Sequence, residues 1–469
     1  GVTISLRQEV TMATSLKFGT SGLRGLSTDL AGSEARRYAA AFARYSGGRG
    51  PIFVGRDLRA SSPRIAADVI SAISALGINI VNYGELPTPA LALAAMANEA
   101  PAVMVTGSHI PADRNGLKFY LPTGEIDKDD EAGIVAQLGE APVGDVEVRV
   151  DETALASYRD RYLHALPHRA LAGWRVGVWQ HSSVARDLIA DVVEGFGAEA
   201  VALGRSDTFI PVDTEAVSED MATELAGWVH AHQLDALVST DGDADRPLIV
   251  DDSGALIRGD AIGILTARFV GADVVVTPVT SNSSIEGMGA FRKVVRTRVG
   301  SPYVIAGMAE AGGGEVVVGF EANGGVLLGS DVAIGGVSIA RLPTRDALLP
   351  ILAVLGAARA AETTLSALTQ TLPQRFARSG RLENVPPEQS ARLIARLETD
   401  AAGFLAPQGR IASRSSIDGP RFELASGEVI HYRPSGNAPE LRCYTEASTA
   451  ERADELLAWG LKAAEAVVR

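Results

Sequence analysis

An α/β architecture of repeated modules, closed by a smaller α+β unit, is what the sequence predicts, and three observations predict it. A chain of 469 residues is too long for one core, and at roughly 150 residues per domain it divides into about three or four. A short β-branched run, a Gly- or Ser-rich loop and an Ala/Leu-rich stretch with helical spacing recur in turn, as strand, loop and helix do in α/β units. Beyond Leu372 that texture gives way to short strand patterns interleaved with two helical runs.

In order along the chain, Pro51–Gly55 leads into Arg56 and Asp57, Arg175–Trp179 into His181, Ser182 and Ser183, and Asp273–Pro278 into Ser281, Asn282 and Ser283. Their repetition predicts three modules of one kind, over 17–150, 151–255 and 256–370. In the closing unit, 371–469, strands are expected over Phe376–Leu382, Ile411–Asp418, Arg421–Leu424 and Val429–Tyr432, and helices over Pro387–Gly403 and Thr449–Val468. No low-complexity linker separates these units, so they are expected to pack against one another. Residues 1–16 read as an extension, native or left by cloning: Gly1–Ser15 lacks the basic start, apolar run and small-residue cleavage site of a secretory signal.

Composition excludes several function classes. With 46% hydrophobic and 21% charged residues the chain can bury large cores. A net charge of −14 argues against nucleic acid or an anionic membrane as partner, since either needs a basic face to replace counterions. Any phosphate must therefore be met by local cations inside a site. Cys443 is the only cysteine, so neither an intramolecular disulfide nor a cysteine-built zinc site forms, which fits a reducing cytoplasm. The longest apolar stretch, Ala347–Ala358, contains Pro350 and falls short of the ~20 residues that span a bilayer. Oligomeric state has no signature.

Four loops carry chemistry. The first follows the apolar strand Ala102–Val105 and reads Thr106-Gly107-Ser108-His109-Ile110-Pro111, with Lys118 shortly after. It puts a hydroxyl at a strand's carboxyl end, where open α/β sheets place ligands. Lys118 and the glycine amides can meet the charge of a reacting serine; taken alone, the segment reads more readily as an ordinary Gly/Ser turn with a nearby surface His. The second lies between strand runs Leu234–Val238 and Pro247–Val250: Asp241-Gly242-Asp243-Ala244-Asp245-Arg246. Carboxylates at alternate positions repel unless a cation gathers them, and a hard divalent ion such as Mg²⁺ takes such oxygens. An EF-hand is excluded by Arg246 where that loop needs Gly, by Asp252 where it needs Glu, and by the flanking strands. The third loop, Gly319-Phe320-Glu321-Ala322-Asn323-Gly324-Gly325, follows Val316–Val318, and its Glu321 and Asn323 can bond vicinal hydroxyls or simply edge a turn. In the fourth, Arg433-Pro434-Ser435-Gly436-Asn437-Ala438-Pro439, a guanidinium with several neutral donors suits a phosphate dianion; a bare turn is the competing reading.

In this order the four loops resemble those of the α-D-phosphohexomutase superfamily, which includes phosphomannomutases, phosphoglucomutases and phosphoglucosamine mutases. Phe18-Gly19-Thr20-Ser21-Gly22-Leu23-Arg24-Gly25 is similar to the family's N-terminal signature, and Gly55-Arg56-Asp57 with Arg59, Ser61 and Ser62 resembles its next segment. The resemblance runs from Phe18 to the end of the chain. It implies three related α/β modules with mixed sheets and a smaller C-terminal α+β domain around a central cleft, each giving one loop. It also implies that Ser108 is a phosphoserine, and that Asp241, Asp243 and Asp245 bind one Mg²⁺ together with the phosphate on Ser108. Arg24, His109, Lys118 and Arg246 would line that phosphate. Glu321, with Asn323 and Gly324, would hold the sugar, and Arg433, Ser435, Gly436 and Asn437 the substrate's own phosphate.

The reaction so implied is reversible transfer of phosphate between C6 and C1 of a hexose phosphate through a hexose 1,6-bisphosphate, which also activates the enzyme. Overall likeness favours mannose phosphate over glucose phosphate. Several positions depart from the family pattern: Gly107 and Ile110 replace Ala and Asn, and Ala322-Asn323-Gly324-Gly325 replaces a segment with Ser and a nearby His. Asn437-Ala438 replaces Thr-Glu. Thr297-Arg298-Val299-Gly300-Ser301-Pro302 lacks the Lys or His expected after the glycine, so the resemblance names no acid/base residue there. Competing readings are a phosphoserine-using phosphatase and a non-catalytic sugar-phosphate sensor. A serine hydrolase is disfavoured, because Ser108 lacks the glycines two residues to either side that a nucleophile elbow needs.

Overall fold

The computed structural model describes residues 14–19, 22–147, 149–435 and 438–469. Thr20 and Ser21 of the N-terminal signature, Gly436 and Asn437 of the fourth loop, and nearly all of the 1–16 extension lie outside the described residues.

The first sheet is mixed. Ile52–Arg56 runs parallel to both Ile80–Glu85 and Ala102–Val105, while Arg114–Leu121 and Gly22–Leu26 add antiparallel. Ala102–Val105 is buried at every position, as a strand covered on both faces must be, and so it reads as an unbroken apolar run. The second sheet orders Pro247–Val250, Ala236–Thr240, Arg175–Trp179 and Glu199–Leu203. Pro247 has no amide N–H and opens the edge strand, where a missing donor costs no ladder bond. The third centres on Val274–Pro278 between Lys293–Thr297 and Val317–Phe320, and Val326–Leu328 and Leu342–Asp346 extend it antiparallel.

The fourth sheet is wholly antiparallel, in the order Phe376–Leu382, Leu441–Ala447, Val429–Pro434, Arg421–Leu424, Ile411–Ser415, with helices Pro387–Leu405 and Ala450–Val468 beside it. One interior strand, Leu441–Ala447, paired between Phe376–Leu382 and Val429–Pro434, has no counterpart in the sequence reading. The alternation that marks a strand is broken there by buried Thr445 and Glu446. Both are satisfied from a distance, Thr445 donating to the Ala453 carbonyl and Glu446 pairing with Arg375 at 2.9 Å.

One apolar core runs from Phe53 to Leu372 through all three α/β units, whereas the core under the fourth sheet draws only on Val385 to Val468. Polar contacts tie the last unit to the rest: Ser283 donates to Glu446, Val299 N–H to Asp418, and Arg258 to the Arg375 carbonyl. Among the described residues no helix is long and apolar enough to cross a membrane.

Candidate active site

Ser108, Asp241 and Glu321 each follow the carboxyl end of a strand in one of the three α/β sheets, and Arg433 lies near the end of Val429–Pro434. Ser108 is fully buried with φ of 53°, a left-handed conformation that costs a non-glycine residue roughly 1 kcal/mol or more. The surrounding structure enforces it. Buried Arg59 donates to the carbonyls of Pro111, Arg114, Ser108 and Ile110 at 2.7–3.0 Å, and Ser108 N–H donates to Thr106 Oγ1 at 2.8 Å. Asp57 pairs with Arg59 and accepts from Ser62 and Thr106. A Cβ at residue 107 would lie 2.5 Å from the Arg59 guanidinium carbon, which explains Gly107: the loop is held by an arginine passing where an alanine methyl would be.

Ser108 Oγ donates to Asp241 Oδ2 at 3.0 Å and lies 3.3 Å from His109 Nδ1. Burial, with Arg246 and Arg24 close by, pushes the His109 imidazole down to about 2, so it is neutral. Asp241, Asp243 and Asp245 bring one oxygen each within 4.8 Å of one another. Burial and the other two carboxylates hold Asp241 well above the usual carboxylate range. Burial opposes ionisation of Asp245 too, but Lys118, Arg345 and Arg246 outweigh it and hold that carboxyl well below. Lys118 Nζ reaches Asp243 at 2.6 Å and Asp245 at 2.9 Å, and Thr88 Oγ1 donates to Asp243 at 2.6 Å.

The residues fit a divalent cation. Oδ1 of Asp243 and Oδ1 of Asp245 are buried without a hydrogen-bond partner, a state that costs a polar atom about 1–3 kcal/mol unless something else takes it up. Oxygen donors alone suit a hard ion. Nε and Nη2 of half-buried Arg24 and Nε of Arg246 are likewise shielded from solvent without a hydrogen-bond partner among the described residues. Burial and the nearby Arg246 and Arg345 lower the Arg24 guanidinium to about 10. Unpartnered carboxylate oxygens and unpartnered guanidinium donors beside one hydroxyl leave room for a dication and a dianionic phosphate, whose charges cancel.

The sequence reading missed Arg345. It sits at the end of Leu342–Asp346, is buried, and joins two loops: its Nη2 is 3.1 Å from Asp245, and its Nη1 3.1 Å from Glu321. Gly325 makes room for it, since a Cβ there would meet Arg345 Cδ and the Asp245 carbonyl at 2.9 Å. Only a fork-shaped cation spans both carboxylates, so Arg345→Lys and Arg345→Ala are both expected to lower kcat/KM about 10²-fold or more; steady-state kinetics with Lys near wild type would refute the bridge. Asn323 Oδ1 accepts from Gly325 N–H, and the Asn323 carbonyl accepts from Thr214. Gly324, with φ of 87°, donates its N–H to the Glu321 carbonyl.

In the fourth loop Arg433 pairs with Asp418 at 3.2 Å and donates to the Tyr444 hydroxyl at 3.0 Å. Asp418 Oδ2 also accepts from Val299 N–H at 3.0 Å. Ser435 Oγ accepts from Ala438 N–H. A cavity of about 850 Å³ opens between these loops, lined by Arg246, Glu321, Asn323, Arg345 and Arg433 among others. Ser108 and the three aspartates are not among the lining residues; Arg246, 4.0 Å from Asp241, and Arg345, 3.1 Å from Asp245, connect the cavity to them.

Two histidines make stability pH-dependent. His181, whose Nε2 bonds the Thr240 carbonyl just before the aspartates, and His431, bonded to the Asp418 carbonyl, are both pushed down to about 4 by burial. The unfolded value is about 6.5, so the stability each contributes is fully present above pH 6.5 and is lost as pH falls through 4, about 3 kcal/mol for each. Melting temperature is expected to fall across that window, and less steeply in His181→Gln; an unchanged slope would count against the buried neutral state.

Opposite charges gathered around a hydroxyl, with carboxylate acceptors and guanidinium donors that the chain itself does not pair, are what phosphoryl transfer requires. On three α/β sheets and one antiparallel sheet, this is the architecture of the α-D-phosphohexomutase superfamily. Comparison with known proteins agrees. Residues 15–142 match the phosphoglucomutase/phosphomannomutase alpha/beta/alpha domain I model, and 258–376 match that of domain III. A phosphomannomutase of Sinorhizobium fredii is 48% identical over 95% of this chain and 98% of its own, and one of Salmonella muenchen 43% identical over 93% of each. The crystal structure of a phosphoglucomutase/phosphomannomutase family protein from Burkholderia thailandensis superposes with a TM-score of 0.76 at 22% identity, covering 95% of this chain and 97% of that one. The chain belongs to the phosphoglucomutase/phosphomannomutase family.

Proposed function

We propose that this chain is a phosphomannomutase, an isomerase that moves phosphate reversibly between C6 and C1 of mannose phosphate by way of a phosphorylated Ser108 and a hexose 1,6-bisphosphate. The observation that carries the chemistry is Ser108 Oγ against Asp241 with partnerless Arg24 and Arg246 donors around it. The choice of mannose rests on likeness to the two phosphomannomutases.

Ser108, once phosphorylated, faces the cations that neutralise its phosphate: Arg24 and Arg246 offer unpartnered N–H groups, and Lys118 stands across Asp243 and Asp245. Asp241, Asp243 and Asp245, with the phosphate on Ser108, would hold one Mg²⁺, which when bound offsets charge on the transferred group. Neutral His109, its Nδ1 3.3 Å from Ser108 Oγ, can donate Nδ1–H to that oxygen without adding charge. Glu321, with one oxygen taken by Arg345, presents the other to sugar hydroxyls. Arg433 binds the phosphate that is not reacting, exchanging its Asp418 partner for the dianion. The substrate hydroxyl attacks phosphorus, Ser108 leaves, and the bisphosphate reorients so that Ser108 recovers the other phosphate. Ser435, Gly436, Asn437, Asn323 and Gly324 complete the proposed substrate contacts.

A coupled assay with a trace of hexose 1,6-bisphosphate and Mg²⁺, run in parallel on mannose 1-phosphate and glucose 1-phosphate, tests this. Formation of mannose 6-phosphate with the higher kcat/KM is expected. A glucose preference would make the chain a phosphoglucomutase, and release of free sugar without isomerisation would make it a phosphatase.

A further inference from the structure

The hydroxyl that attacks phosphorus must lose a proton, and the segment Thr297–Pro302 offers neither Lys nor His to take it. The cavity wall narrows the choice. At Ser108 itself, Lys118 is held in ion pairs with Asp243 and Asp245 and His109 lies against Oγ; the cations that line the cavity are arginines and one histidine. Guanidinium does not deprotonate in proteins, and His431 is committed through Nε2 to the Asp418 carbonyl. Five carboxylates line the cavity. Asp251 accepts from Ser253 and Ala255, Asp260 pairs with Arg258, Glu321 with Arg345, and Glu446 with Arg375. The fifth, Glu215, is exposed to the cavity, and its side chain has neither a hydrogen bond nor an ion pair among the described residues.

Glu215 is also held in place by its backbone. Its N–H donates to Asp213 Oδ1 at 3.0 Å, and the preceding Thr214 donates to the Asn323 carbonyl of the third loop at 3.1 Å. Earlier in the same loop, Phe209 lies under the Arg59 guanidinium at 4.4 Å, against the segment that carries Ser108. The loop thus bridges the serine and the sugar-binding residues, with Glu215 at its sugar end.

We propose that Glu215 is the general acid/base of the reaction, acting on the sugar hydroxyl that accepts the phosphate and on the sugar oxygen that later gives it up. This rests on the mutase reading above. In the first half-reaction the hydroxyl proton passes to the Glu215 carboxylate as the sugar O–P bond forms. The P–Oγ bond breaks with its electron pair on Ser108 Oγ, which takes a proton from solvent. In the second half-reaction Ser108 returns that proton to solvent as Oγ attacks the other phosphate, and Glu215 gives its proton to the departing sugar oxygen. The surroundings suit both directions: burial by the cavity walls raises the Glu215 carboxyl, Arg246 and Arg345 lower it, and Asp213 and Glu321 raise it.

Wild-type chain, Glu215→Gln and Glu215→Ala are assayed on mannose 1-phosphate, with melting temperatures as the folding control. Gln at 215 is expected to lower kcat about 10²–10⁴-fold with KM within about threefold, and formate is expected to restore part of the Ala variant's turnover. If wild type isomerises and Glu215→Gln turns over at the same rate, or loses only KM without formate rescue, Glu215 is not the proton carrier. If wild type isomerises no hexose phosphate at all, the mutase reading fails, and this assignment with it.

Discussion

Replacing Ser108 by Ala is expected to lower turnover on the order of 10⁴-fold or more, because no second nucleophile can stand in for a covalent carrier. Substrate binding should survive, since the proposed substrate contacts at Glu321 and Arg433 are untouched. The protein should also stay folded: among the described residues Ser108 Oγ bonds only Asp241 and His109, while the loop is held by Arg59 through backbone carbonyls. Wild-type protein given labelled hexose 1,6-bisphosphate should become labelled, and Ser108→Ala should not. Turnover near wild type in the variant would overturn the assignment of the nucleophile.

Removal of divalent cations should have the second-largest effect. Chelation is expected to reduce turnover about 10³-fold or more, and Mg²⁺ should restore it. A second readout is independent of activity: a ligand that binds only the folded state stabilises it by about 2.7 kcal/mol at a hundred times its dissociation constant, so Mg²⁺ should raise the melting temperature of the stripped protein. Asp243→Asn should lose that rise, because it removes a carboxylate whose Oδ1 has no partner while its carbonyl can still accept from Lys118 and Thr88. An unchanged melting temperature with full activity after chelation would show that the three aspartates serve Lys118 and Arg345 alone.

The elements that the sequence determined by itself are those in which local composition and burial agree. Ala102–Val105, Arg175–Trp179 and Pro247–Val250 are short strands with apolar runs, each followed within three residues by Gly, Ser or Asp, and the helices at Pro387–Leu405 and Ala450–Val468 begin within a residue of where their periodicity begins. Ser108 and the aspartates were legible for a related reason. A hydroxyl or three alternating carboxylates at a strand's end bury groups that no local interaction can satisfy, so their presence signals a partner from outside the segment.

What only the tertiary structure decided is which distant residues supply those partners. Leu441–Ala447 is an interior strand whose buried Glu446 is paired by Arg375, 71 residues away in sequence, a neighbour that no window along the chain contains. Arg59 holds the Ser108 loop from another strand-to-helix turn, and Arg345 joins Asp245 to Glu321 across sequence separations of 100 and 24 residues. Glu215 stands out only once every other carboxylate around the cavity is seen to be paired. Pairing depends on distance in space, and an isolated Arg or Glu in a loop looks the same in sequence whether it meets solvent or a buried charge.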